Sequence, residues 1–456
     1  MNGETKRKPV LLALLIATFL TAIEGTIVST AMPKIVNDLG GSQLFTWVIS
    51  VYLLATVIST PVFGKMADLY GRKSMFTIGA IIFLVGSMLS GLSQTMGQLV
   101  LFRMVQGLGA GALTTIPYTI IGDMYTFEQR AKIQGWISSV WGIAGIVGPL
   151  AGGMIVDTVS WHWIFYLNLP FGIIALILLW TSFHEKVEAK KRTIDYAGIL
   201  TFALSMSSFL YGLTLLKEQK ELTSYTLLFF GITVIGMLLF IRIEMKSKEP
   251  MIPLELFSKR YITVSNFAGF LLGFILVTVT YYIPLWVQGV KHLNATYSGF
   301  AMLPMSITWP LASILCGKWL TKHSVRKLTM IGIFFVVAGC FGMTFFHENM
   351  MIATIMIVIA IIGFGFGLAL TSFTVAVQSS VDWSMRGAAI GSNNLMRTLG
   401  QTIGISVSSL WLSDELSGRM LENSLHHVFW VLFSLAVLAV CIASLLSKKK
   451  KEESLA

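Results

Sequence analysis

Charge is scarce in this sequence. Only 12% of its 456 residues are Asp, Glu, Lys or Arg, against roughly 25% in a soluble domain. Long polar stretches are missing too. The longest, near residues 184–194 and 244–261, leave no room for a nucleotide-binding domain between the apolar runs. The three cysteines, Cys316, Cys340 and Cys441, all lie inside apolar runs without metal-ligand or redox spacing, so they read as inert packing residues. No series of roughly 10-residue alternating segments occurs, which argues against a membrane β-barrel. Acids are nearly absent from the interior of the apolar runs, and Glu24 is the exception.

What is present is hydrophobic: 55% of the chain, with a mean hydropathy of +0.76. The apolar residues gather into fourteen runs of about 20 residues, the length that crosses a hydrocarbon core. They fall near 10–31, 44–63, 74–93, 98–122, 133–156, 163–183, 195–216, 223–243, 262–289, 297–317, 328–346, 350–374, 387–411 and 426–446. In lipid every backbone polar group has to be satisfied within the segment, so such runs are expected to be helices. The first run follows Lys6, Arg7 and Lys8 in the manner of a signal peptide. It is too long for that role and carries Glu24 in its interior, so it is expected to remain as a span.

The net charge of +11 does not read as nucleic-acid binding, because the basic residues sit in short clusters between the runs. With the N-terminus inside, 26 of the 33 basic residues fall on the cytoplasmic side, among them Lys65, Lys190, Lys191, Arg192, Lys322, Arg326 and Lys448–Lys451. Five fall outside: Lys34, Lys217, Lys220, Lys291 and Arg419. Arg103 and Arg397 lie within runs. This asymmetry places both termini in the cytoplasm and demands an even number of spans. Two glycine-rich segments imitate soluble motifs. Gly71-Arg72-Lys73-Ser74 lacks the upstream turn of a phosphate loop, and Gly107-Leu108-Gly109-Ala110-Gly111 lies mid-membrane without a βαβ unit, so neither is read as a nucleotide site.

The loops Gly64–Lys73 and Gly317–Lys327 both open with Gly-Lys and carry a basic cluster about eight residues later. They imply two related six-helix bundles, spans 1–6 and 9–14, with spans 7 and 8 inserted between them, an arrangement expected of secondary transporters.

At this point a family resemblance emerges. The chain resembles the fourteen-helix drug:proton antiporter branch of the major facilitator superfamily over nearly its whole length. Gly64-Lys65-Met66-Ala67-Asp68-Leu69-Tyr70-Gly71-Arg72-Lys73 is similar to that superfamily's Gly-x-Leu-Ala-Asp-x-x-Gly-Arg-Lys signature, with Met66 for Leu. Arg103 to Gly111 resembles its second motif. Gly142, Gly145, Gly148, Pro149, Gly152 and Gly153 resemble the motif regarded as marking antiporters. Glu24-Gly25-Thr26-Ile27-Val28 to Pro33 resembles a segment that usually opens with Asp, so the carboxylate is kept on a longer arm. Trp161 to Pro170 resembles a further Trp-Arg-Trp-Ile-Phe-x-Ile-Asn-x-Pro segment.

Glu24 is the first candidate site residue. Burial disfavours a charged carboxylate, so a carboxyl there is suited to taking up and releasing a proton, and an ionisable group inside a membrane is by default a functional hypothesis. Arg103 stands one helical turn before Gly107 and needs a cavity or a partner. The resemblance implies a role in proton coupling for it. It also implies that Asp68, Arg72 and Asp123, with Gly64 and Gly71, form a conformational latch in which Asp68 holds the N-terminal end of span 13. Gly148 and Gly152 make a small-xxx-small pair for close helix contact. Tyr52, Trp141, Tyr281, Tyr282, Trp286 and Trp309 are candidate aromatic walls of a substrate cavity, although each ring alone also fits packing or an interface anchor. Gln288, Asn393, Asn394 and Arg397 add polar groups in the second bundle.

The expected fold is therefore an all-α integral membrane protein of 14 transmembrane helices. Residues 1–183 form one six-helix bundle, 184–260 two linker helices and a loop, and 261–456 the second bundle with a basic tail. The function the resemblance implies is secondary active multidrug efflux, exchanging protons or sodium for lipophilic, cationic drugs by alternating access. The alternatives are a dedicated exporter or flippase of a lipid-like or metabolite substrate, or an uptake symporter. No span carries a nucleophile–base pair or a metal cluster, so an enzyme is not expected. No cofactor beyond an ion gradient is expected. The expected setting is a bacterial cell membrane, with the lipid bilayer and small molecules as partners, no nucleic acid, and a functional monomer.

Overall fold

The computed structural model describes the chain except for residues 1–4, 126, 186–194, 248–249, 251–253, 321, 382–385, 413–416 and 447–456. Fourteen long helices are described: α1 Arg7–Leu39, α2 Phe45–Tyr70, α3 Arg72–Gly91, α4 Met96–Met124, α5 Phe127–Thr158, α6 Asn168–Ser182, α7 Tyr196–Gln219, α8 Ser224–Glu244, α9 Arg260–Leu285, α10 Ala295–Trp319, α11 Val325–Met343, α12 Ile352–Ser379, α13 Arg386–Ser408 and α14 Gly418–Ser444. At about 1.5 Å per residue nearly all of them reach across a hydrocarbon core of about 30 Å. α6 is the shortest, and a single turn at Trp163–Tyr166 precedes it within the same apolar run. Pro170 falls in its first turn, where the missing N–H leaves no bond unmade.

Thirteen of these segments are apolar enough to span a membrane by composition alone; α13 is not among them. Its 23 residues include Asn393, Asn394, Arg397 and Gln401. The explanation is local. Asn393 Nδ2 donates to Ser265 O and Asn266 Oδ1, both at 3.1 Å on α9, so polar groups of α13 are satisfied by a neighbouring helix.

The chain divides into two compact units: Met1–Met251 with Asn294–Gly299, and Ile252–Leu293 with Phe300–Ala456. In the first, α4 packs along α2 and α3, and α1 packs along α5 and α6. α7 and α8 pair with each other through rings such as Tyr211 and Phe229, 4.7 Å apart. They join this unit through Trp47, whose Nε1 donates to Thr214 Oγ1 at 2.7 Å. In the second, α11 pairs with α12, α9 with α13, and α14 with α11. The ring of Trp286, in a π-helical turn at Trp286–Val290, packs against Phe346 and Phe429.

Glycine permits the closest crossings, as small residues do generally between membrane helices. A Cβ on Gly109 would stand 2.3 Å from Phe83 N and 2.5 Å from Gly79 O of α3, and one on Gly107 would stand 2.4 Å from Tyr52 O of α2. Backbone cannot yield as a side chain can. Replacing Gly109 by Val is therefore expected to destabilise the protein by at least about 1–3 kcal/mol, seen as a lower thermal midpoint in detergent. Gly25→Ala, where a Cβ meets nothing within 4 Å and a helix interior favours Ala over Gly, is expected to hold or raise the midpoint. Equal behaviour of the two variants would refute this account of the packing.

Candidate functional site

Glu24 lies near the middle of α1 and is 0% exposed; Arg103 of α4 is 1% exposed. The two are joined as an ion pair from Arg103 Nη1 to Glu24 Oε1. The same Nη1 donates to Gln106 Oε1 at 2.6 Å, and Arg103 Nε donates to Val48 O of α2 at 3.4 Å. The guanidinium carbon sits 4.1 Å from the centroid of the Tyr52 ring and 5.8 Å from that of Phe165. On the far side, Asn168 Nδ2 donates to Glu24 Oε2 at 2.8 Å and to Ser87 Oγ of α3 at 2.9 Å. Five helices, α1, α2, α3, α4 and α6, thus meet at one buried polar knot. Gln106 Nε2 is buried there without a hydrogen-bond partner among the described residues.

This geometry has a chemical consequence. Besides the Glu24 carboxylate, Arg103 holds Gln106 Oε1, Val48 O and the face of Tyr52. A cation over an aromatic face is worth about 2 kcal/mol or more when desolvated. The buried guanidinium is therefore compensated by several groups and not by the carboxylate alone. Asn168 and Gln106 were not among the site residues expected from the sequence. Their signal was present, since each is a polar side chain inside an apolar run, but polarity alone does not say which neighbour it meets.

A second cluster forms at the α2–α3 turn. Gly71 has φ +90° and ψ 144°, a conformation that glycine adopts at little cost. Arg72 pairs with Asp123 at the end of α4. Both side chains are partly exposed, and such a pair alone contributes under about 1 kcal/mol. Glu185, past the end of α6, caps α3: its carboxylate accepts from Arg72 N at 3.0 Å and Lys73 N at 2.8 Å, where the helix dipole favours negative charge. Lys73 Nζ donates to Trp180 O and Phe183 O and lies 4.7 Å from the Trp180 ring centroid. Glu185 was not anticipated, because it stands in a polar stretch with no periodicity to orient it. The side chain of Asp68 and its expected contact with span 13 lie outside the described residues. Gly64 sits on α2 facing Thr115.

The glycines of α5 carry α1. A Cβ on Gly148 would fall 2.0 Å from Thr26 Oγ1, and one on Gly152 would fall 2.5 Å from Thr30 Oγ1. Pro149 is buried beside them, whereas Gly142 and Gly145 are only partly buried. A Cβ on Gly153 would meet Ala295 O at 2.5 Å, and Asp157, closing the same helix, accepts from Thr296 N at 2.8 Å. Of the aromatic candidates in this unit, Tyr52 lies under Arg103, while Trp141 is 47% exposed on α5.

In the second unit Tyr281, Tyr282 and Trp286 are buried, and Tyr282 OH donates to Ile405 O at 3.4 Å. Trp309 is partly buried with its ring 5.5 Å from Phe366. Asn393 binds α9 as described. Arg397 and Gln288 are partly buried and both hold interactions within the described chain.

Long apolar helices gathered around a buried ion pair define a multi-pass membrane protein. The chain belongs to the Major Facilitator Superfamily, whose sequence pattern matches residues 14–405. Two Bacillus subtilis (strain 168) proteins are similar to it. Multidrug transporter protein MdtP is 35% identical over 425 residues, covering 92% of this chain and 78% of its own. Multidrug resistance protein 3 is 34% identical over 405 residues, covering 89% and 79%. The crystal structure of a D-xylose-proton symporter shares the fold with a TM-score of 0.69 at 14% identity, covering 95% of this chain and 96% of that one.

The ion pair can be tested directly. Arg103→Leu leaves a buried carboxylate without its counter-charge and is expected to destabilise the protein by about 3–5 kcal/mol. Adding Glu24→Gln to it is expected to recover most of that loss in thermal unfolding. A double variant no more stable than Arg103→Leu would show that the pair is not what holds these helices.

Proposed function

We propose that this protein exports lipophilic, cationic compounds across a cell membrane in exchange for protons or sodium, by alternating access, with no cofactor beyond the ion gradient. The observation that carries this reading is the fully buried Glu24–Arg103 pair. Taking charge into hydrocarbon is costly, and such residues mark ion pathways. The names of the two Bacillus relatives support a drug-like cargo. Glu24 is the coupling carboxyl: it binds the ion in one state and is relieved of it by a cationic substrate. Arg103 sets its affinity, and Tyr52 lies within reach of the same site. Trp141, Tyr281, Tyr282, Trp309, Asn393 and Arg397 are the further side chains proposed to contact substrate as the cycle proceeds. Asp68, Arg72 and Asp123, turned by Gly71, act as the latch between states. The distribution of Lys and Arg supports cytoplasmic termini in a bacterial cell membrane, and one chain is a complete working unit.

A single carboxyl exchanging one proton for one monovalent cation moves no net charge across the membrane. Transport is then expected to follow an imposed pH gradient and to ignore an imposed potential, whereas each uncompensated charge would add about 2.3 kcal/mol per 100 mV. A potential-driven rate would break the one-for-one exchange.

The deciding experiment is ethidium transport in everted vesicles under imposed proton and sodium gradients, comparing wild type with Glu24→Gln. Gradient-driven transport is expected in the wild type and is expected to fall to the vesicle background in the variant. The gradient that drives it names the ion. Transport unchanged by the substitution would remove Glu24 from the mechanism. Absence of ethidium transport by the folded wild type would redirect the reading to a dedicated exporter or flippase of another compound.

A further inference from the structure

Among the described residues, the inserted hairpin of α7 and α8 makes no contact with the Glu24–Arg103 pair or the Arg72–Asp123 pair. Its outer surface is apolar: Leu228, Ile235 and Leu239 of α8 are 56%, 61% and 48% exposed. At the end of this apolar surface the chemistry changes. Arg242 stands in the last turn of α8, and Lys246 follows in a turn closed by Lys246 N to Ile243 O at 3.0 Å. Both side chains are exposed. Together with Ser247, Leu239, Ile243 and Asp195 they line an open cleft of about 430 Å³.

Two described acids, Asp195 and Glu244, lie at the start of α7. Asp195 Oδ1 caps α7 by accepting from Gly198 N at 2.8 Å. Glu244 is 3% exposed, and its Oε1, like Asp195 Oδ2, lies 2.9 Å from where a Cβ on Gly198 would stand. Both carboxylates thus gather at the positive end of α7, where the helix dipole favours them. Arg242 and Lys246 are exposed on the cleft, with no salt bridge among the described residues. Under the orientation proposed above, the C-terminal end of α8 lies at the cytoplasmic face, where hydrocarbon meets water. Two cations and a hydroxyl at that depth, above an apolar wall, are complementary to a phosphate ester carrying acyl chains.

We infer that this cleft binds the phosphate headgroup of an acidic phospholipid of the cytoplasmic leaflet, with its chains lying along Leu239 and Ile235. The site ties the inserted hairpin to the bilayer rather than to the cargo. Each cation near an anionic lipid surface strengthens association by about fivefold.

The test uses the full-length protein in native mass spectrometry with mixed phosphatidylglycerol and phosphatidylcholine of matched chains. The wild type is expected to take phosphatidylglycerol as its first bound lipid in at least about fivefold preference. The preference is expected to fall to near unity in R242Q/K246Q and to drop in Ser247→Glu, which places a negative charge in the cleft. K217Q/K220Q removes the same charge from the opposite end of the hairpin and is expected to keep the wild-type preference. Thermal unfolding in phosphatidylcholine reports that each variant is folded, and if R242Q/K246Q is not, Ser247→Glu carries the decision. Three results would overturn the inference: no preference in the wild type, a preference that survives in both cleft variants, or one lost equally in K217Q/K220Q. Displacement of the lipid by millimolar inorganic phosphate would also overturn it, by assigning the cleft to a soluble anion.

Discussion

Five helices of the first unit, α1, α2, α3, α4 and α6, meet at one costly object, the Glu24–Arg103 pair held away from water. An unpaired charge would not be tolerated there, and even a paired one needs its remaining lone pairs and protons met. Asn168, Ser87, Gln106, Val48 and Tyr52 meet them from four helices besides that of Glu24. The pair is therefore a register pin as much as a site. Sliding any of α1, α2, α3, α4 or α6 along its neighbour would strand a polar group in the interior.

That pin depends on how near the helices come. Gln106 reaches Arg103 within α4 itself, and α4 presses against α3 at Gly86, where a Cβ would be 2.4 Å from Gln106 N. Tyr52 can lie under the guanidinium because α2 and α4 touch at Gly107. On the other side of α1, Gly148 and Gly152 of α5 accept its threonines at a distance no larger residue would allow. The glycine motifs and the ion pair are one construction: small residues bring backbones together, and the approach lets short polar side chains bridge between helices.

The turn between α2 and α3 shows the same economy at the membrane surface. Gly71 turns the chain at positive φ, which frees the first N–H groups of α3. Glu185, more than a hundred residues later in the chain, closes on them. The signature loop is thus fastened to the end of α6 as well as to Asp123 on α4, and any movement of this loop in transport has to carry or release both attachments.

The sequence alone determined the solvent, the number of spans and the exceptional carboxylate. Hydrocarbon allows only internally bonded backbone, so length and apolarity are sufficient to announce a helix, and a lone Glu in such a run is conspicuous. Even α13, with its Asn and Arg, was legible by length between its flanking loops. The signature around Gly64–Lys73 likewise stood out, because its glycines and charges are packed into ten residues. Tertiary structure decided the partners: that Glu24 meets Arg103, that Asn168 rather than another polar group completes the carboxylate, and that Glu185 caps α3. Helix formation is a local property of the chain, whereas these contacts depend on which faces of separate helices meet, and that follows from packing across the whole unit.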